Sequence, residues 1–272
     1  MGNPVFAADN RLDVDPVTSN PIADTGFPIA NLSDDRLFTF YKTSGDNTAI
    51  FIETDAGVGN TVDVDYISIM AHNLGTVTND TVFDFRHGNT VIDTDIIIGV
   101  PVNDDKIVFN QFTKVTNRKF QLKITTSGGF IPFIPSIGQL QWGKRVESDG
   151  FIQVGFDPES EQVRGRFTRS QVGNILGAIS TVSTRFADIS IPFLTNAFIR
   201  DNTVGGFKDF WDNHASKLKP FVFAWNPGNP GNFEKDAFFG LIQPEAGIAR
   251  PLSTNLDAGF RSLQFRVEGL KE

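Results

Sequence analysis

Paired aspartates are the side chains in this sequence most able to bind a metal ion. They occur as Asp34-Asp35, Asp63/Asp65 and Asp104-Asp105, and as a group near the start of the chain, Asp9, Asp13 and Asp15. A hard cation such as Ca²⁺ needs about six to eight converging oxygen ligands. The spacing of these aspartates follows no defined calcium loop, so turns in which Asp binds backbone amides are the simpler interpretation.

Groups that could perform catalysis are sparse. The sequence has three histidines, His72, His87 and His214, and no cysteine. It contains no His-rich ligand motif, no Gly-x-Ser-x-Gly elbow and no phosphate-binding glycine loop. A lone His is most often a structural hydrogen-bond partner, and no thiolate is available as a nucleophile. The sequence therefore predicts a protein that is not an enzyme.

Short strand patterns at the spacing of a β-sandwich dominate the first half of the chain. They lie at residues 37–41, 49–54, 64–71, 82–87, 106–109, 119–125 and 137–142, with Gly- or Asn-containing turns between them. Residues 1–30 contain four prolines, which predicts an extended N-terminal arm or edge strand with little helix.

A change to charged composition near residues 143–150 predicts a domain boundary. Beyond it, strand patterns recur at 151–156, 162–169, 180–191, 221–225, 237–242 and 261–268. One helix is expected near 204–216, because its apolar residues Phe207, Phe210, Trp211 and Ala215 fall at helical spacing. The predicted class is all-β (mainly), in two domains at 31–145 and 146–272 after the 1–30 arm.

Charge and hydropathy limit the partners that the protein can have. The net charge of −8 argues against non-specific binding to nucleic acid phosphates, and no sequence-specific nucleic acid motif is present. Apolar runs such as residues 96–102 are much shorter than the roughly 20 residues that span a bilayer, so no membrane segment is predicted. The N-terminus lacks a basic region followed by an apolar run, so no secretory signal is expected.

Residues 31–142 resemble a discoidin-like, galactose-binding-like jelly roll. The residues that carry the resemblance are the Asn31-Leu-Ser-Asp-Asp-Arg36 turn, Ile67-Ser-Ile-Met-Ala-His-Asn-Leu74, Arg118-Lys-Phe-Gln-Leu-Lys-Ile124 and Ile137-Gly-Gln-Leu-Gln-Trp-Gly143. The Ala71-His-Asn-Leu74 corner is similar to the version found in bacteriophage tail proteins. The resemblance implies an N-terminal jelly-roll β-sandwich.

Residues 148–272 are similar to the tail-tube and tail-hub domains of long-tailed phages. The stretch contains Arg164-Gly-Arg-Phe-Thr-Arg-Ser170, one helix, the strand Lys219-Pro-Phe-Val-Phe223 and the terminal strand Phe265-Arg-Val-Glu-Gly269. The resemblance implies a hub-like β-barrel with one α-helix. The chain departs from familiar distal tail proteins in domain order, since in those proteins the hub domain precedes the sandwich. This departure leaves open which tail component the chain would be.

The tail-hub resemblance implies a homo-oligomeric ring, commonly a hexamer, that contacts the tail tube, the tail-tip hub and the fibres. Such a protein would belong to the virion tail and assemble in the host cytoplasm. Arg164, Arg166 and Arg169 are the expected subunit contacts, since arginine binds carboxylates bidentately. A solvated strand face is the alternative for these three residues.

Discoidin-like modules present ligand-binding side chains at one end of the sandwich. The corresponding candidates here are Phe38, Phe40, Tyr41, Phe130 and Phe133, although most of these aromatics could instead belong to the core. Modules of this type often hold one Ca²⁺ in the loop equivalent to the 31–35 turn. Asp34 and Asp35 would be its ligands, and no other cofactor is expected.

Three functions follow from these patterns. The first is a structural distal-tail or tail-hub protein at the tail tip of a bacteriophage, which would support attachment and DNA passage. The second is a carbohydrate-binding or receptor-binding module that recognises a host surface glycan. The third, a glycan hydrolase, is the weakest, because a sequence does not reveal whether two carboxylates lie at catalytic spacing in a cleft.

Overall fold

A computed structural model describes residues 3–45, 47–76, 81–97, 107–126, 131, 133–153, 161–227, 236–243, 252–254 and 259–269. The strands in this part of the chain are β1 (Val5–Ala7), β2 (Val17–Asn20), β3 (Tyr41–Lys42), β4 (Ala49–Asp55), β5 (Val62–His72), β6 (Thr81–Gly88), β7 (Ile92–Ile97), β8 (Val108–Asn117), β9 (Lys119–Thr126), β10 (Ser136–Gly143), β11 (Val146–Glu147), β12 (Glu161–Arg169), β13 (Ile175–Leu194), β14 (Phe221–Ala224), β15 (Ala237–Ile242), β16 (Leu252–Thr254) and β17 (Arg261–Gly269). The helices are α1 (Asn196–Arg200) and α2 (Phe207–Asn213), with 3₁₀ turns at Arg11–Asp13, Ile29–Ser33, Leu74–Thr76 and Ala215–Lys217.

The strands form antiparallel sheets of five, four and eight strands. The five-stranded sheet has the order β2-β4-β9-β6-β7, and the four-stranded sheet has the order β3-β10-β5-β8. The eight-stranded sheet, called here the large sheet, runs β11-β1-β14-β15-β17-β13-β12, with β16 paired to β17. Most of its strands come from the region that the sequence predicts as a barrel. Among the described residues its order runs from β11 to β12, and these two edge strands do not pair with each other. The mainly β class is confirmed.

The five- and four-stranded sheets pack face to face and form the sandwich predicted from the first half of the chain. Alternate residues of β4 and β9, such as Ile52 and Leu122, are fully buried, and they face Ile69 and Trp142 of the four-stranded sheet in one apolar core. Each such side chain contributes about 1.5–3 kcal/mol of stability. The Trp142 Nε1–H donates to Thr54 Oγ1 at 3.1 Å, which links the two sheets.

The other face of the four-stranded sheet is also buried, because the large sheet covers it. Tyr66 and Met70 of β5 pack with Val5, Val222 and Phe239 in a second apolar cluster. This contact explains why β5 is buried from Val64 to His72, although its sequence alternates like that of a half-exposed strand.

Helix α2 covers the opposite face of the large sheet. Phe210 stacks on Phe6 with ring centroids 5.3 Å apart and meets Phe221 edge-to-face at 5.0 Å. The helix predicted at 204–216 is confirmed over Phe207–Asn213, and a 3₁₀ turn follows it until Leu218 adopts a left-handed φ of 54°. The short helix α1, which the sequence did not reveal, precedes it.

Residues 1–30, expected as an extended arm or edge strand, contribute strands to two sheets. β1 lies between β11 and β14 inside the large sheet, and β2 is an edge strand of the five-stranded sheet. Val5 and Phe6 are fully buried on opposite faces of the large sheet, so their burial favours pairing over an exposed arm. The boundary near residue 145 stays a prediction.

Candidate functional site

The candidate site is a cleft on the solvent side of the five-stranded sheet. Its volume is 540 Å³, and its lining residues are Thr18, Ser19, Asn20, Phe51, Glu53, Arg86, Thr90, Ile92, Lys119 and Gln121. Sites for small molecules commonly enclose about 300–1,000 Å³. We call it the outer-face cleft.

Strand alternation explains why these side chains lie on the outer side of the five-stranded sheet. In β4, Ile50 and Ile52 are buried in the sandwich core, so Phe51 and Glu53 point to the other side of the sheet. In β9, burial of Phe120 and Leu122 places Lys119 and Gln121 on that same outer side. The sandwich core therefore positions the cleft residues.

The strand register arranges four of these outward side chains and Asp95 of β7 in one line across the sheet. Thr18 pairs with Glu53, Glu53 with Gln121, Gln121 with Arg86, and Arg86 with Asp95. We call this line the cross-strand row. Neighbouring strands lie about 4.8 Å apart, so the row crosses β2, β4, β9, β6 and β7 over about 19 Å.

Hydrogen bonds and ion pairs fix the polar groups of the cleft. Glu53 accepts from Lys119 Nζ at 2.9 Å and from Gln121 Nε2 at 3.2 Å. The bond to Glu53 is the main reason why the pKa of Lys119 is raised. Arg86 Nε donates to Asp95 Oδ1 at 2.5 Å. These pairs hold the planar carboxylate, amide and guanidinium groups in defined positions beside Phe51.

This combination of groups suits a ligand that carries both apolar and hydroxyl surfaces. The half-buried ring of Phe51 offers an apolar face, while Glu53, Gln121, Arg86 and Asn20 offer donors and acceptors. Glu53 is the one carboxylate among the residues that line the cleft. The residues that line the cleft therefore do not supply the pair of carboxylates that glycoside hydrolysis commonly uses.

Of the aromatic residues predicted to face a ligand, the four in the described part of the chain do not line the outer-face cleft. Phe38 is 77% exposed, whereas Tyr41 is fully buried in the sandwich core. Phe40 packs against the cluster beneath the large sheet, and Phe133 packs against the sandwich core. Phe130 lies outside the described residues. The ligand role predicted for Tyr41 is therefore wrong, because β3 pairs with β10 and turns this ring inward.

Asp34 and Asp35 occupy a turn rather than a group of converging ligands. Asp34 accepts from the Arg36 backbone N–H at 3.0 Å and from Thr39 Oγ1 at 2.7 Å. Asp35 has a left-handed φ of 61°, and burial, followed by the charge of Asp13, raises its pKa to about 6. Among the described residues no group of three or more His, Asp or Glu side chains is placed to hold a metal. Calcium binding stays a prediction that this geometry does not support.

Arg166 and Arg169 are solvent-exposed on β12, far from the outer-face cleft in sequence and on a different sheet. Arg169 lies over the Phe167 ring, with its guanidinium carbon 4.8 Å from the ring centroid. Arg164 belongs to the same strand, but its side chain lies outside the described residues. The subunit contact predicted for these arginines stays a prediction.

The residues of the outer-face cleft were not singled out from the sequence. The alternation in 119–125 already indicates that Gln121 lies on a polar face, whereas Phe51 stands between two apolar residues, Ile50 and Ile52, and its direction cannot be predicted in this way. Alternation does not reveal which residues of different strands lie side by side, because that depends on register. Alternation within one strand can indicate an outward side chain, but only the pairing between strands shows which outward side chains form a site.

No helix in the described part of the chain is long and apolar enough to cross a membrane. The sequence matches no known family profile, and the comparison with curated proteins gives no match.

Several solved structures are similar to about half of the chain. A Ruminococcus gnavus GH29 fucosidase in complex with fucose matches 52% of this chain at 15% identity and a TM-score of 0.40, and the match spans only 27% of the fucosidase. A Streptococcus pneumoniae fucose binding module matches 50% of this chain and 94% of its own length, at 15% identity and a TM-score of 0.37. A chitosan-binding module from a Paenibacillus sp. IK-5 chitosanase/glucanase matches 50% of this chain and 98% of its own length, at 14% identity and a TM-score of 0.37.

Proposed function

We propose that this protein binds a saccharide in the outer-face cleft and serves as a carbohydrate-binding module. The cross-strand row beside Phe51 is the observation that carries the proposal. Sugars present a patch of C–H groups next to hydroxyls that donate and accept hydrogen bonds. An aromatic ring beside fixed, planar polar groups complements that surface.

The length of the row favours an oligosaccharide over a single sugar. About 19 Å of polar surface exceeds the size of one sugar ring, so consecutive units would lie across the strands, from Thr18 towards Asp95. The hydrogen bonds that hold Glu53 and Arg86 are formed before the ligand arrives, so binding requires little further ordering of these side chains. Each net hydrogen bond to the ligand would contribute about 0.5–1.5 kcal/mol.

A glycan array followed by isothermal titration calorimetry on the best oligosaccharide tests this proposal. Phe51→Ala and Arg86→Ala should each weaken binding by about tenfold or more, since a loss of about 1.4 kcal/mol corresponds to tenfold. Val82→Ala is the matched control, because Val82 is an exposed apolar residue of β6 that is not among the residues that line the cleft. This control should bind like the wild type.

Two outcomes would contradict the proposal. One is the absence of binding to any glycan on the array at high protein concentration. The other is binding that survives Phe51→Ala and Arg86→Ala and disappears with Phe38→Ala. That pattern would move the ligand to the exposed Phe38 turn.

A structural role at the tip of a bacteriophage tail is the second candidate, and the exposed hairpin formed by β12 and β13 supports it. In that role the chain would form a ring with copies of itself, contact the tail tube, hub and fibres, and reside in the virion. Light scattering on a sizing column with negative-stain images provides the test. A ring with a central hole would support this role, and a monomer that binds a glycan would count against it.

A further inference from the structure

The hairpin of β12 and β13 extends beyond the large sheet as a two-stranded arm. Only the second half of β13, from Phe186 to Leu194, pairs with β17, whereas β12 pairs with the first half. Every residue from Gly165 to Ile179 except Ser170 is exposed. We call residues 165–179 the arm. A two-stranded ribbon without a third strand or a covered face is marginally stable in water.

The arm carries large apolar side chains that nothing in the described chain covers. These side chains are 58% to 83% exposed and belong to Phe167, Val172, Ile175, Leu176 and Ile179. Exposed apolar residues scattered singly are ordinary, but five on one short hairpin indicate an interaction surface.

The charge of the arm favours a second copy of this chain as its partner. The arm contains two basic residues, Arg166 and Arg169, and no acidic residue, a net +2, so the rest of the chain carries −10. Two arms in contact would place arginines against arginines, which is unfavourable. The body of another copy attracts the arm, whereas nucleic acid or an anionic membrane would be repelled by the −10 body.

An exposed aromatic surface lies at the other end of β13. Phe193 is 65% exposed and meets Phe260 edge-to-face at 6.3 Å. Phe151 is also exposed, and its segment runs beside β13 because the Gln153 N–H donates to the Ser190 carbonyl at 2.8 Å. We call Phe151, Phe193 and Phe260 the aromatic patch. Asp149, two residues before Phe151, adds an exposed carboxylate next to it.

One strand separates the arm from the aromatic patch. β13 has 20 residues, and at about 3.3 Å per residue it is about 60 Å long. The arm tip and the patch therefore cannot meet within one copy, and a contact between them joins two copies through different surfaces. Contacts of this kind are heterologous and build closed rings or open filaments.

We propose that the arm of one copy docks on the aromatic patch of the next, so that the chain associates head to tail. The apolar side chains of the arm bury against the three phenylalanines, while Arg166 and Arg169 approach the exposed Asp149 carboxylate. This inference does not depend on saccharide binding, because none of the residues that line the outer-face cleft takes part.

Sedimentation velocity at rising protein concentration and low salt tests the proposal. The wild type should self-associate. The arm variant R166E/R169E and the patch variant F193N should each weaken association by about tenfold or more, and Asn suits the left-handed φ of 62° at this position. The control R36E/K114E makes the same change in net charge on exposed sandwich residues and should associate like the wild type.

Mixing the two variants separates head-to-tail contact from other arrangements. R166E/R169E keeps an intact patch, and F193N keeps an intact arm. In an equimolar mixture the arm of F193N can dock on the patch of R166E/R169E, so the mixture should form 1:1 dimers and no larger species. Wild-type protein that stays monomeric, variants that associate unchanged, or a mixture that stays monomeric would each overturn the proposal. Binding of a monomeric chain to anionic vesicles or to DNA through the arm would also overturn it.

Discussion

Replacing Asp35 by Asn should make the protein more stable at neutral pH and leave its stability unchanged in acid. Burial, followed by the charge of Asp13, raises the pKa of Asp35 from 3.8 to about 6. Folding therefore favours the protonated carboxyl. The stability that protonation supplies is fully present below the unfolded pKa of 3.8 and is lost as the pH rises through about 6.

The shift of about two pKa units sets an upper limit of about 3 kcal/mol, at 1.36 kcal/mol per unit. Asp35 is partly exposed, and solvent screening reduces the expected effect to about 1–2 kcal/mol. Urea unfolding of D35N and wild type from pH 3.5 to 8 measures the difference. The difference should grow between pH 4 and 6 and stay constant above pH 7. Asp13, whose pKa burial also raises, is present in both proteins.

A difference between D35N and wild type that is the same at every pH would refute this reasoning. It would mean that Asn acts only through its tolerance of the left-handed backbone at this position, where φ is 61°. L218N is the matched control, since Leu218 also has a left-handed φ, of 54°, and carries no titratable group. The difference between its unfolding free energy and that of the wild type should not change with pH.

Two further substitutions test the packing between the layers. Gly143→Ala should lower the free energy of unfolding by about 1–3 kcal/mol, because the added Cβ would lie 2.1 Å from the Asp9 carbonyl oxygen. Gly177→Ala is the control. No atom lies within 4 Å of its added Cβ, so it should change the free energy of unfolding by less than about 0.5 kcal/mol. Equal effects in thermal melts of the two variants would contradict the packing described. Gln139→Met should stabilise the protein by about 1 kcal/mol, because Gln139 is fully buried and neither amide atom has a hydrogen-bond partner in the described chain. A lower urea midpoint for this variant would show that the amide is paired.

Strand periodicity predicted much of the secondary structure in the two halves of the chain. The patterns at 49–54, 64–71, 119–125 and 137–142 correspond to β4, β5, β9 and β10. These strands were recognisable because burial of one face requires apolar residues at every second position. The helix was recognisable in the same way, since Phe207, Phe210 and Trp211 all pack against the large sheet.

The contact between the sandwich and the large sheet could not be predicted from periodicity. Tyr66 and Ser68 read as the outer side of a strand, yet both are fully buried. The reason is that a third layer, with Val5 and Val222 among its residues, covers them. No local signal in β5 specifies a partner that comes from the two ends of the chain. For the same reason periodicity did not predict that β1 lies inside the large sheet, although residues 1–30 were expected to include an edge strand and β2 is one.

The sequence by itself determined the mainly β class and, in a clearly alternating strand such as 119–125, the outward orientation of Gln121. Only the tertiary structure decided which outward residues become neighbours. Register aligns Thr18, Glu53, Gln121, Arg86 and Asp95, which are distant in sequence, and strand pairing turns Tyr41 into the core. The direction of a side chain follows from the local geometry of its strand. Which residues of two strands lie side by side depends on the hydrogen bonds that pair segments distant in sequence.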